Sequence, residues 1–306
     1  MLTPLHAAFA GVLVVLVCAS TVTAGLIRMH PERNYLELRL RIQTWWWLVL
    51  PMLAALTLPS GYAMAIFGLV SFLAFKEFLS IAPTRQADRR VLLLAYLAIP
   101  LQYLWVGMAW YGMFIIFIPV YVFLLLPMRM VLVGETCGFL RAAGTIQWGL
   151  MTTVFSLSHT AYLLMLPSTH QVNGAMLVFY LVALTQFNDV AQYLWGKAFG
   201  KHKVAPTVSP NKTLEGLLGG IATTTALALL LAPWLTPMTP LHAVFAGILI
   251  SVFGFIGDVV VSAVKRDIGV KDSGTLLPGH GGILDRIDSL TYTAPLFFHY
   301  IYYLYY

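Results

Sequence analysis

The chain alternates between long apolar runs and short polar interruptions. Ten runs can be read, at about 5–27, 45–58, 61–81, 90–109, 111–132, 145–166, 174–195, 214–235, 240–265 and 290–306. The second is short, and the stretch 45–81 also divides differently around Pro59-Ser60-Gly61. A helix needs about 20 apolar residues to cross a ~30 Å hydrocarbon core, so the pattern predicts an all-α polytopic integral membrane protein of about 10 transmembrane helices. Three regions follow from it: an N-terminal helix with a basic linker (1–44), a first group of membrane helices (45–170) and a C-terminal region (171–306).

The loops between runs differ by parity. After runs 1, 3, 5, 7 and 9 come RMHPERNYLELRLR, APTRQADRR, GETCGFLR, GKAFGKHKVAPTVSPNK and KRDIGVKDSGTLLPGHGGILDRIDSL. After runs 2, 4, 6 and 8 come PSG, AWY, PSTHQVNG and TPMT, without a single Lys, Arg, Asp or Glu. The 18 basic residues therefore lie in or beside one set of loops, Lys76 and Arg129 falling just inside run ends on that side. By the positive-inside rule that side is cytoplasmic and both termini face outward. The first run has no basic residues before it and its arginines after it, which fits an uncleaved anchor better than a signal peptide.

Composition supports the membrane reading: 59% of the 306 residues are hydrophobic and only 10% charged. Against that background the net charge of +6 reports orientation and anionic headgroups, and it does not point to nucleic acid. Cys18 and Cys137 offer neither a disulfide framework nor metal-ligand spacing. No internal repeat is visible, which weakens an inverted-repeat transporter.

Two carboxylates break the apolar pattern. Asp189 precedes Lys197 and Asp258 precedes Lys265 by similar intervals, which puts both roughly 10–12 Å inside the cytoplasmic boundary. An ionised Asp at the bilayer centre costs about 2.5–3.5 kcal/mol, so each needs a partner or a wet cavity. With Asp285 and Asp288 in the adjoining loop, the four can converge on one site. Such oxygen donors suit Mg²⁺, with room for a second cation, while no Cys/His spacing suits zinc.

Phosphate is the companion chemistry. Consecutive glycines let backbone N–H groups approach an anion, and Pro278-Gly279-His280-Gly281-Gly282 lies among Lys265, Arg266, Lys271 and Arg286. His280 suits a general base, or better a hydrogen bond to phosphate, because a phosphate monoester is already largely ionised at pH 7. The stretch SPNKTLEGLLGG reads as a helix start: Ser209 caps, Pro210 takes the first turn, and Glu215 lies near the positive dipole end. Lys212 and Thr213 then sit at a natural anion site. These features alone give phosphate chemistry with Mg²⁺ at a membrane face, without naming a reaction.

At these residues the sequence resembles the phosphatidate cytidylyltransferase (CDP-diacylglycerol synthase) family. The matching positions are Ser262, Lys265-Arg266, Lys271-Asp272-Ser273-Gly274, Pro278 to Gly282, and Leu284-Asp285-Arg286-Ile287-Asp288. Two further blocks agree, Asn188-Asp189 through Gly196 and Ser209 through Gly216. The resemblance is dense from about 180 to 290. It implies transfer of CMP from CTP to phosphatidic acid, with Mg²⁺, in the bilayer and with room for a homodimer. It implies Asp258 and Asp285 as metal ligands, Asp189 close behind and Asp288 supporting them. Lys265, Arg266, Lys271 and Arg286 would neutralise phosphates alongside His280, with Lys212 helping. Asn188, Ser209, Thr213, Glu215, Asp272, Ser273 and the Gly281-Gly282 backbone would hold the nucleotide.

Two departures stand out. The family commonly has Gly-Asp-Leu-x-Glu-Ser, whereas this chain has Gly257-Asp258-Val259-Val260-Val261-Ser262, and the helix near 5–27 is an addition. They leave open a paralogue acting on a different lipid phosphate. An ion-coupled transporter would explain the aspartates but not the glycine–histidine loop. The Asp-x-x-Asp-Gly-x-x-Ala-Arg motif of CDP-alcohol phosphotransferases does not occur.

Overall fold

The structure is a computed structural model that describes residues 4–30, 32, 34–169, 172–274 and 281–306. Among the described residues the chain forms ten helical rods, in the order of the ten apolar runs. They are α1 Pro4–Met29, α2 Leu36–Thr57, α3 Ser60–Ile81, α4 Arg89–Gly107, α5 Tyr111–Val131, α6 over 139–163, α7 Gly174–Phe199, α8 Leu214–Leu235, α9 Pro240–Ile268 and α10 Leu284–Tyr305. Wider π-type turns interrupt α5 at Phe117–Val122 and α6 at Met151–Phe155. Seven rods (α1, α3, α4, α5, α7, α8 and α9) are long and apolar enough to cross a membrane. The protein is an all-α polytopic membrane protein.

One short antiparallel hairpin departs from that pattern. β1 Lys203–Ala205 pairs with β2 Ser209–Thr213, with Ala205 opposite Ser209 and Lys203 opposite Thr213. This corrects the expected helix start. Ser209 is held in the ladder, so the chain stays extended through Pro210 and the cap moves to Thr213. The Thr213 hydroxyl accepts from Gly216 N at 3.1 Å, and α8 begins at Leu214.

The polar loops do gather at one end. Glu77, near the end of α3, reaches Ser273 beyond α9, and Arg266 at the end of α9 donates to Val208 O in the hairpin at 3.3 Å. At the other end Thr239 N donates to Tyr305 Oη at 3.1 Å and the Tyr111 and Tyr303 hydroxyls pair at 2.8 Å. The added helix α1 leans on α2, where Trp46 Nε1 donates to Ser20 Oγ at 3.0 Å.

Close packing in the C-terminal half positions the carboxylates. Asn188 on α7 is fully buried and binds two neighbours: Oδ1 accepts from Ser251 Oγ at 2.5 Å and Thr224 Oγ1 at 3.2 Å, and Nδ2 donates to Ser251 O at 3.3 Å. Buried polar bonds of this kind knit membrane helices where apolar burial cannot. Between α9 and α10 the contact is backbone to backbone at Gly257, where a Cβ would come within 2.6 Å of Asp288 O. Gly257→Ala is therefore expected to force α10 off α9 and to destabilise by about 1–3 kcal/mol. A thermal-unfolding midpoint in detergent equal to wild type would refute that packing argument.

Candidate active site

Two ion pairs organise the polar end. In the first, Lys212 Nζ from β2 lies 2.6 Å from Asp258 Oδ2 on α9. The ammonium also donates to Gln192 Oε1 at 3.4 Å and sits 5.4 Å from the Phe255 ring centre. Ser262 Oγ donates to Asp258 Oδ1 at 3.2 Å. Burial works against the Lys212 ammonium, but the charges of Asp258 and Asp189 outweigh it and hold its pKa above the ordinary lysine value.

In the second pair, Lys265 Nζ lies 2.6 Å from Asp285 Oδ1. Asp285 Oδ2 accepts from Ser273 N and Gly282 N, each at 2.9 Å. Among the described residues these three donors leave one lone pair on Oδ1. Gly281 takes a left-handed conformation (φ 78°) at the head of this turn, where a Cβ would stand 2.5 Å from Asp285 Oδ2.

Asp189 on α7 accepts from Ser289 Oγ at 2.9 Å, and Asp288 accepts from Ser289 N at 2.8 Å. Asp189, Asp258 and Asp288 stand within one another's electrostatic reach and repel. Asp189, Asp258, Lys212 and Arg286 line a cavity of about 440 Å³, with Ser209 and Thr213 on its hairpin side. Arg286 lines it, and among the described residues its buried Nε has no hydrogen-bond partner.

The expected site is thus largely brought together, with some residues placed elsewhere. Asn188 serves the helix junction. Glu215 accepts from Lys201 N at 3.0 Å and approaches His202 Nδ1 at 2.6 Å, so it ties the end of α7 to the start of α8. Arg266, Lys271 and Asp272 are exposed. His280 lies outside the described residues, as do Pro278 and Gly279. Among the described residues no three His, Cys, Asp or Glu side chains converge tightly enough to hold a metal ion. In donor type the site still fits a hard cation: Asp189, Asp258 and Asp288 bring carboxylate oxygens within one another's electrostatic reach, with Asp285 held by Lys265.

Sequence reasoning missed several neighbours. Trp45, Gln192 and Phe255 line the cavity, and Ser289 holds Asp189. The largest omission is Glu77. It accepts from Ser273 Oγ, from Ile283 N at 2.9 Å and from Leu284 N at 3.2 Å. Its one signal was an ionisable residue inside an apolar run, the criterion that singled out Asp189 and Asp258.

The profile described as Cytidylyltransferase family matches residues 39–304. The chain belongs to this family. It is 49% identical to the Uncharacterized protein YnbB of Escherichia coli (strain K12) over 98% of this chain and 99% of that one, a span that takes in the added helix α1. It is 38% identical to the Phosphatidate cytidylyltransferase of Staphylococcus aureus (strain COL), over 49% of this chain and 59% of that one. With the enzyme of that name from Staphylococcus epidermidis strain RP62A the identity is 43%, over 40% and 48%. The match to the two staphylococcal enzymes therefore spans only about half of each.

Removing one member of a desolvated ion pair leaves the other charge uncompensated, which costs more than removing both. Lys212→Met is accordingly expected to lower the unfolding midpoint more than the double variant Lys212→Met/Asp258→Asn, with a coupling of about 1 kcal/mol or more in a double-mutant cycle. Because the Lys212 pKa is raised on folding, its contribution is complete below the unfolded value of about 10.4 and fades only as pH climbs through the higher folded value. The coupling should hold from neutral pH to about pH 9. Additive effects, or a coupling lost in that range, would show that the pair does not form.

Proposed function

We propose that the chain transfers CMP from CTP to phosphatidic acid, giving CDP-diacylglycerol and pyrophosphate, at the cytoplasmic face of a bacterial-type inner membrane. The observation that supports this best is Arg286. A half-buried guanidinium on the wall of a cavity shared with Lys212, its Nε–H without a partner among the described residues, offers donors to an anion, and phosphate oxygens match its fork.

A phosphate oxygen of the lipid attacks the α-phosphorus of CTP. The bond from that phosphorus to the bridging oxygen breaks, and pyrophosphate leaves with the electron pair. The attacking oxygen is already largely ionised at neutral pH, so the protein's task is placement and charge neutralisation. Lys212 and Arg286 draw phosphate oxygens into the cavity, while Lys265 and the Ser273 and Gly282 turn keep Asp285 ionised beside it. Mg²⁺ would be drawn to one or two carboxylates at a time, Asp189 and Asp258 on the cavity wall with Asp285 and Asp288 behind them, and would neutralise charge on the reacting phosphates. The acyl chains stay among the helices. Val261, fully buried and without a carboxylate, favours a second reading in which the acceptor is another lipid phosphate.

The test is CTP turnover by the detergent-purified chain with phosphatidic acid and Mg²⁺, following both pyrophosphate and lipid-linked CMP. Turnover is expected, abolished by EDTA and reduced on the order of 100-fold or more in Asp285→Asn. Turnover with a different lipid phosphate alone would move the acceptor and keep the chemistry. No measurable CTP binding by folded protein would overturn the proposal.

A further inference from the structure

The stretch 275–280 of the glycine–histidine loop lies outside the described residues, but both its flanks are fixed, and each is held by the same two carboxylates. Asp285 takes Ser273 N on one flank and Gly282 N on the other. Glu77 takes Ser273 Oγ on the first flank and Ile283 N and Leu284 N on the second. Asp285 belongs to the motif; Glu77 comes from α3, 196 residues from Ser273.

Three further features show that this contact is built. α10 has no side-chain cap of its own: Ile283 precedes it, so while Arg286 N turns back to Ile283 O at 2.9 Å, the amides of Ile283 and Leu284 have no local side-chain acceptor. Glu77 supplies one from another helix, and a carboxylate at a helix N-terminus also meets the positive end of the dipole. The flanks are shaped to admit it. A Cβ on Gly282 would stand 1.7 Å from Glu77 Oε1, and one on Gly274 would stand 3.0 Å from Glu77 Cδ. Two of the motif's glycines thus make room for a side chain that the motif does not contain.

We propose that Glu77 is a positioning residue of the active site. Together with Asp285 it ties Ser273 to the turn at 282–284 and sets the first turn of α10, from which Asp285, Arg286 and Asp288 project. It touches no reacting atom in this scheme. The kinetic part of the proposal rests on the cytidylyltransferase reading; the structural part does not.

Hydrogen–deuterium exchange on the full-length detergent-purified chain tests the clamp directly, with turnover of CTP and phosphatidic acid measured in parallel. Glu77→Ala is expected to speed exchange about tenfold or more at the amides of Ile283 and Leu284, the scale of a lost hydrogen bond to a charged acceptor, with the other helices unchanged. Its kcat/KM should fall on the order of 100-fold, as for a displaced catalytic group. Glu77→Gln keeps the shape and turns one acceptor oxygen into a donor. It should expose at least one of the two amides, and it carries the test if the alanine variant does not fold. Unchanged exchange at both amides would overturn the proposal, and so would a rise spread over the whole bundle, which marks a general stabiliser. Wild-type protein that binds no CTP would sink the reaction, while the exchange pattern would still decide the role of Glu77.

Discussion

A carboxylate carried into an apolar helix bundle must be matched by a cation, and the C-terminal half of this protein is arranged around that requirement. Asp258 meets Lys212 and Asp285 meets Lys265, each at 2.6 Å. Neither lysine is a sequence neighbour of its aspartate. Lys212 is delivered by a hairpin between α7 and α8, so β1 and β2 exist where a longer α8 would have left Asp258 without a partner. Lys265 sits two turns beyond Asp258 on α9 and points to α10 instead. The pairs therefore fix which helix ends meet as well as neutralising charge. Since burying ions costs several kcal/mol each, such pairs are weak sources of stability and are better understood as devices that keep specific charges in place.

Glycine sets how near those charges come to one another. Gly257 brings the backbone of α10 against α9 one residue from Asp258, at the carbonyl of Asp288. Asn188 draws α7 to the same junction through Ser251 and Thr224, and the next residue, Asp189, is thereby aimed at Ser289 on α10. The carboxylates repel one another because the helix packing holds them together. Arg286 Nε, buried beside them and without a partner among the described residues, adds positive charge to the same site.

Much of this could be read from the chain. The ten helical rods follow the apolar runs, and parity of the charged loops foretold that α3, α7 and α9 end together. Asp189 and Asp258 were legible because ionisable groups inside apolar helices stand out, and the motif around Asp285 because its spacing is dense. The errors have local causes. Ser209-Pro210 satisfies the capping rule, but strand pairing across the hairpin holds Ser209 extended, and Thr213, with its hydroxyl one turn before Gly216, caps instead. Asn188 and Glu215 lie within motif blocks, and here their partners are other helices and the turn after α7. A motif records which positions are constrained, and packing constrains them as firmly as binding does.

Glu77 was marked by its place inside an apolar run, but its role was illegible for a deeper reason. Its three partners lie some two hundred residues downstream, and periodicity, propensity and spacing carry no information about contacts at that separation. The signal was present in the motif all the same, though in negative form. Gly274 and Gly282 are small on the side where Glu77 enters, and a glycine read only as a phosphate cradle hides that second use. Trp45 makes the same point at the other cavity wall, since α2 is joined to the added helix α1 through the neighbouring Trp46. The motif-bearing half thus holds the charged groups, while helices from the upstream half supply acceptors and walls. The polar end of this protein is one construction that spans the whole chain, and its C-terminal half by itself would leave the first turn of α10 uncapped and one side of the cavity open.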